Sequence, residues 1–133
     1  MSGIEAGVYM YGRINLGLDV SIGRGAEINA GKTGGASITI GDACDIASNA
    51  TISCLDSHMQ CIGLSDSIEK KSIVLEDHVF VGDGAKILGG TKVGHHSVIG
   101  SNVVLKGEEI PPYSRVHVLQ PVIEAGFYRR KSE

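Results

Sequence analysis

A parallel β-solenoid built from six-residue units is the fold that this sequence predicts, and three observations predict it. First, aliphatic residues recur at every sixth position: Ile4, Met10, Leu16, Ile22, Ile28, Ile40, Ile46 and Ile52, with Gly34 as the one exception, and then Leu75, Val81, Ile87, Val93, Ile99 and Leu105. Fourteen of these fifteen positions are Ile, Leu, Val or Met, where an overall frequency of 38 in 133 gives about four. Second, the residue after the anchor is often glycine, as at Gly17, Gly23, Gly41, Gly82, Gly94 and Gly100, in a chain with 19 glycines and no tryptophan. Third, the fifth position of the unit is small or β-branched, as at Val20, Ala26, Cys44, Ala50, Val79, Ala85, Thr91, Ser97 and Val103.

A helix does not satisfy this pattern. Six-residue spacing on a turn of about 3.6 residues carries the anchors around the cylinder and leaves no fixed buried stripe. Short strands joined by tight turns do satisfy it. If each hexapeptide is one side of a triangle, eighteen residues return the chain to its starting face, and each anchor stacks on the one a coil below. Stability then arises between coils rather than within one.

Along the chain, the first series of units runs to Ile52. The register then breaks, because Ile52 to Leu75 is 23 residues, which is not a multiple of six. The excursion, about residues 53–74, carries Asp56, His58, Gln60, Cys61, Asp66, Glu69, Lys70 and Lys71. In a strict repeat an interruption of this length is a functional loop or a tolerated decoration. The second series runs from Leu75 to Leu105, and a divergent tail, about residues 115–133, is placed to cap one end of the stack. All of it reads as one domain, 1–133, since the chain is too short for two ordinary cores. PVIEAGFYRRKSE is too short and too weakly periodic to predict a terminal helix.

Composition excludes several functions. A net charge of −3 disfavours a general nucleic-acid binder, which draws its affinity from clustered Lys and Arg. No apolar run reaches 18 residues, and MSGIEAGVYMYGRIN lacks a signal peptide's basic start and apolar core, so no membrane insertion and a cytoplasmic location are expected. Cys44, Cys54 and Cys61 are odd in number and form no CxxC pair, which reads as reduced thiols.

ITIGDACDIASNATI and VLEDHVFVGDGAKILGGTKVGHHSVIGSNVVLKGEEIPPYS, with the anchors around them, resemble the hexapeptide-repeat acyltransferases, the left-handed parallel β-helix superfamily. The similarity runs from about Leu16 to Ser114. It implies a left-handed coil, where the general rule for parallel crossovers gives a right-handed one. It also implies a homotrimer, with acetyl-CoA as co-substrate in a groove between subunits and a saccharide or other small hydroxylated acceptor. Sugar O-acetyltransferases of this superfamily carry a DxH or SH element at the place of Asp56 and His58. In this resemblance His58 is the general base that takes the hydroxyl proton, and Asp56 orients its ring. VFVGDGAKI and VIGSNVVLK match the superfamily's donor-binding stretches, so Phe80, Gly82, Gly100, Ser101 and Lys106 are its cofactor-binding candidates, with Lys106 meeting a phosphate.

Other readings stay open beside it. His58 fits an ordinary loop histidine. The glycines already have a use as turns, and Lys106 has one as a solvated cation. Phe80 stands where many sugar acetyltransferases have tryptophan, and the GNPAK element that usually follows IPPxS is missing from IPPYSRVHVLQPV. A non-catalytic assembly scaffold that has lost the donor groove therefore remains an alternative. A metal site like that of the γ-class carbonic anhydrases is a weaker one, because His58, His78, His95, His96 and His117 do not reproduce the three-histidine spacing, and no metal is expected. His78 and His96 are 18 residues apart at the same position of their units and should stack. Phe80, Val98 and Val104 occupy the outward sixth position, which suggests one apolar face for a partner.

Overall fold

The computed structural model describes residues 3–32, 35–56, 58–64 and 69–128, with only the backbone of His58, Met59 and Glu69. Apart from one antiparallel pair, its strands lie on three parallel faces. The first face stacks Gly3–Ile4, Ser21–Ile22, Asp45–Ile46, Phe80–Val81, Val98–Ile99 and Arg115–Val116. The second stacks Tyr9–Tyr11, Glu27–Asn29, Thr51–Ser53, Lys86–Leu88 and Val104–Lys106. Ile14–Leu16, Ile38–Ile40, Ile73–Leu75, Lys92–Val93 and Glu109–Ile110 make up the third. The whole is a left-handed parallel β-helix of about five turns.

Register follows the six-residue anchors. Ile4 pairs with Ile22, Ile22 with Ile46, Ile46 with Val81 and Val81 with Ile99, so one column of anchors runs up the first face. Met10, Ile28, Ile52, Ile87 and Leu105 form the second column, and Leu16, Ile40, Leu75, Val93 and Ile110 the third. From Ile22 to Ile99 these anchors are almost wholly buried, and small residues such as Ala26, Ala50 and Ala85 fill the space at the corners between them. Two polar residues also enter the core at these corners. The Thr91 hydroxyl donates to the Leu88 carbonyl and accepts from the Gly107 amide, and the Ser97 hydroxyl donates to the Pro111 carbonyl and accepts from the Ser114 amide. Burial of each costs little because both are bonded on both sides.

Three departures from an 18-residue coil appear, where the sequence shows one. Ile28 and Ile40 lie on successive faces although twelve residues separate them. Gly34, the odd member of the anchor series, lies in the segment between them and outside the described residues. Because the inserted length equals one unit, the six-residue ruler passes over it. Leu105 to Ile110 is one residue short, closed by Gly107 at φ 82°. The third departure is the predicted excursion, where Leu55–Asp56 and Glu69–Lys70 pair antiparallel around a helical turn, His58–Cys61.

Corners demand a left-handed backbone. One corner column holds Gly25, Asn49, Gly84 and Asn102, all at φ between 60° and 75°, as expected for the residue types that enter this region at least cost. The corner between the third and first faces is different. It holds Asp19, Ala43, His78, His96 and Tyr113 at φ between 56° and 60°.

Two sequence expectations need correction. Phe80 and Val98 are neighbours on the first face, but Val104 pairs with Lys86 on the second, so the three outward apolar residues do not share one face. The tail adds the strand Arg115–Val116, and beyond it Leu119, Val122 and Ile123 are each more than four-fifths exposed, so the described tail does not cover the end of the core. The unit pattern ends at Val116, and with it the inward anchors that would hold the chain on the stack.

Ile87 sits between Ile52 and Leu105 with no accessible surface. Ile87→Ala is expected to lower unfolding free energy by about 2–5 kcal/mol in denaturant titration, whereas Lys86→Ala on the same strand should change it by no more than about 0.5 kcal/mol. Equal effects of the two would contradict the stacked column.

Candidate functional site

The excursion leaves the solenoid after Ser53. There the Cys54 amide still donates to the Asn29 carbonyl of the coil below, and the Lys71 amide donates to the Cys54 carbonyl as the chain returns. The antiparallel hairpin between these points carries Asp56 at its outer end and leads into the turn that begins with His58. The side chain of His58 lies outside the described residues. Asp56 is described, and its carboxylate lies 3.2 Å from the Lys106 ammonium, with Asp56 the better covered of the two side chains (24% against 61% exposed).

Unit arithmetic explains why Lys106 is there. Ser53, Leu88 and Lys106 each follow a second-face anchor and pair in register, so Lys106 stands two coils above the point where the loop departs. Aligning Ile52, Ile87 and Leu105 in the sequence reveals this column, and it is the signal that reading each motif separately misses. The Lys106 amide also donates to the Glu108 carboxylate at 2.7 Å, which fixes the end of its strand. An ion pair this open is worth at most about 1 kcal/mol, so its significance is positional.

The other candidates lie elsewhere. Phe80 is on the first face, 39% exposed, beside Asp45 and Val98. It shares an open groove of about 510 Å³ with Glu5, Asp45 and Asp83. Gly82 and Gly100 follow first-face anchors. A Cβ on Gly82 would lie 2.6 Å from the Ser101 nitrogen, and one on Gly100 would lie 3.1 Å from the Val116 oxygen. Close stacking of the next coil therefore requires glycine at Gly82. Their polar groups are engaged as well. The Gly82 amide donates to Ile99 O and its carbonyl accepts from Ala85, while the Gly100 amide donates to Val116 O and its carbonyl accepts from Val103. Ser101 is exposed at the following turn. Within one chain, Asp56 and Lys106 thus form one cluster, and Phe80, Gly82, Gly100 and Ser101 form another on a different face.

At the third corner His78 stacks on His96, with ring centroids 4.7 Å apart and planes 23° from parallel. Tyr113 continues the stack at 5.0 Å. His95 meets His96 edge-on, their Nδ1 atoms 2.9 Å apart. Among the described residues, no group of three or more His, Cys, Asp or Glu is placed to hold a metal ion.

Cysteines divide by burial. Burial pushes the Cys44 and Cys54 thiols above their ordinary range, and each points at a backbone carbonyl, Glu76 O and Ser37 O respectively. Cys61, on the loop helix, is exposed.

A family model described as Bacterial transferase hexapeptide (six repeats) matches residues 72–107. Over those residues the chain is similar to the hexapeptide-repeat transferases. The matched residues include Phe80, Gly82, Gly100, Ser101 and Lys106 but stop short of Asp56 and His58. A 2,3,4,5-tetrahydropyridine-2,6-dicarboxylate N-succinyltransferase from Xylella fastidiosa is 29% identical over 109 residues, covering 71% of this chain and 36% of the relative. The chain thus spans about a third of the length of the curated relatives it matches. Among solved structures, the polySia-specific acetyltransferase NeuO is 28% identical with a TM-score of 0.64, over 77% of this chain and 43% of that one. A serine acetyltransferase in complex with cysteine has a TM-score of 0.61 at 22% identity, over 95% and 42% of the two chains. A maltose O-acetyltransferase from Clostridium difficile has 0.53 at 21%, over 86% and 63%. These last two likenesses are of fold. No helix among the described residues is long and apolar enough to cross a membrane.

Gly82→Ala is expected to cost about 1–3 kcal/mol of stability through overpacking against the next coil, read as a lowered thermal midpoint. A thiol reagent at neutral pH should modify Cys61 in the native protein and reach Cys44 and Cys54 only on unfolding, because both burial and a raised pKa deplete their thiolates. Rapid native labelling of all three would contradict the packing.

Proposed function

We propose that this chain is an acyltransferase unit that moves an acyl group, acetyl in the simplest case, from a coenzyme A thioester to a hydroxyl of a saccharide, with His58 as general base. The observation that carries the reading is the loop itself. The long interruption of the solenoid delivers His58 two residues after Asp56, whose carboxylate is held against Lys106. Similarity to an acetyltransferase and to an N-succinyltransferase supports the reaction class.

In this mechanism the neutral imidazole accepts the hydroxyl proton as the oxygen attacks the thioester carbonyl. Amide donors near the carbonyl stabilise the oxyanion of the tetrahedral intermediate. Its collapse breaks the carbon–sulfur bond, and the imidazolium returns the proton to the departing thiolate. Asp56 steadies the loop and, through it, the base. On the first face, the Phe80 ring and the Ser101 hydroxyl are the groups left to meet the donor, because Gly82 and Gly100 have their amides and carbonyls in the coil ladder. The separation of this face from the loop within one chain favours a site completed by a second copy, and a closed threefold assembly supplies that arrangement with one repeated contact. Three cysteines without a disulfide fit a cytoplasmic setting.

Full-length protein incubated with acetyl-CoA and a panel of saccharides is expected to release thiol in an acceptor-dependent way. His58→Ala should lower the rate by about 10²- to 10⁴-fold. Equal release by parent and variant would remove His58 as the base. Absence of both release and CoA binding would favour the scaffold reading, which the missing GNPAK element supports. Lys106→Met should lower kcat and leave KM for acetyl-CoA unchanged if the lysine serves Asp56. A raised KM for the donor would instead assign it to a phosphate.

A further inference from the structure

The corner between the third and first faces holds a cluster that the proposed reaction does not use. An open groove of about 690 Å³ lies there, bordered by Thr39, Val74, Glu76, His78, His95 and His96. Asp77 also reaches it, but one of its carboxylate oxygens accepts from the Asp42 amide and so serves the coil.

Two features make this corner unlike the rest of the solenoid. His78, His96 and Tyr113 take the left-handed backbone that glycine and asparagine adopt with least strain, and asparagine or glycine does fill the matching column of another corner. Three successive coils thus place rings at strained positions, in a stack that runs along the axis. Asp19 and Ala43 hold the same backbone lower on this corner, so coil geometry sets the conformation, and the stacked rings are what set these three coils apart. The second feature is the contact between the Nδ1 atoms of His95 and His96 at 2.9 Å. One nitrogen must donate and the other accept, so the neutral pair holds opposite tautomers. One ring then has a bare Nε2 that accepts, and its neighbour has an Nε2–H that donates.

A matched acceptor and donor suit a hydroxyl, which does both, and suit adjacent hydroxyls better. Charge argues in the same direction. Glu76 and Asp77 line the same groove and oppose an anion, while Glu76 is itself engaged, taking the His95 amide at 3.0 Å and facing the Lys92 ammonium at 3.9 Å. Val74 and the Thr39 hydroxyl, in register on adjacent coils of the third face, give an apolar patch and a further polar group beside the rings. We propose that His78, His95 and His96 form a binding subsite for an uncharged polyhydroxylated ligand, a saccharide chain. The choice of a saccharide rests on the acceptor reading above, and the subsite lies on a different corner from the Asp56 loop.

The test is NMR of the histidine ring Cε1–H groups in the full chain, titrated separately with maltohexaose, cellohexaose, xylohexaose and inorganic phosphate. At least one oligosaccharide should shift His78, His95 and His96 saturably while His117 stays still. His96→Asn removes the ring but keeps a residue suited to the left-handed backbone, as Asn102 shows at φ 61°, so it should fold. Together with His95→Gln it should weaken binding by at least about tenfold. No saturable shift with any of the three oligosaccharides, the same shifts from phosphate alone, or undiminished affinity in both variants would overturn the proposal. Thiol release measured in parallel separates the two claims. Binding without transfer supports the subsite and removes the catalytic reading, whereas transfer without these shifts removes the subsite alone.

Discussion

Contact between each aliphatic anchor and the anchor one coil away is the interaction on which the rest of this molecule depends. No single coil encloses a core, because its three inward side chains cover only each other's edges. The apolar surface leaves water when coils stack, and the same stacking lets strand amides and carbonyls pair at the normal strand separation of about 4.8 Å. Burial and backbone hydrogen bonding are thus satisfied by one geometric event. This explains why a sixth-position rule is enforced so strictly at Ile22, Ile46, Val81 and Ile99, and why fifth-position residues stay small.

Close stacking also dictates the corners. Each coil must turn three times in few residues, and the neighbouring backbone lies against the turn. Gly82 is glycine because the next coil's Ser101 nitrogen fills the space its side chain would take. The same glycine that resembles a donor-binding residue is therefore needed for the coil alone. At the His78, His96 and Tyr113 corner the constraint is relaxed outward, and rings stack where smaller residues fit more easily. Position along the chain and position in the stack are coupled there by the eighteen-residue coil, which made the His78 and His96 contact legible from spacing alone.

Candidate site residues are less legible, for a physical reason. The solenoid constrains inward positions and corners, whereas the described residues of the excursion between Cys54 and Lys71 pair with one another in the hairpin of Leu55–Asp56 and Glu69–Lys70. Asp56 is marked by its place beside His58, whereas its contact with Lys106 shows only up the column that stacks Ser53, Leu88 and Lys106. The insertion of one unit length near Gly34 leaves no mark on the six-residue ruler, since periodicity measures phase and not the number of units traversed.

By itself the sequence determined the repeat, the identity of nearly every buried anchor and the location of the main excursion, because each follows from a local periodicity that burial enforces. The tertiary structure decided which coil lies over which, that twelve residues rather than six bridge Ile28 and Ile40, that Val104 leaves the face shared by Phe80 and Val98, and that Asp56 and Lys106 meet. Those are properties of coil-to-coil register, and register is fixed by the sum of insertions between anchors, which is known only once the coils are stacked.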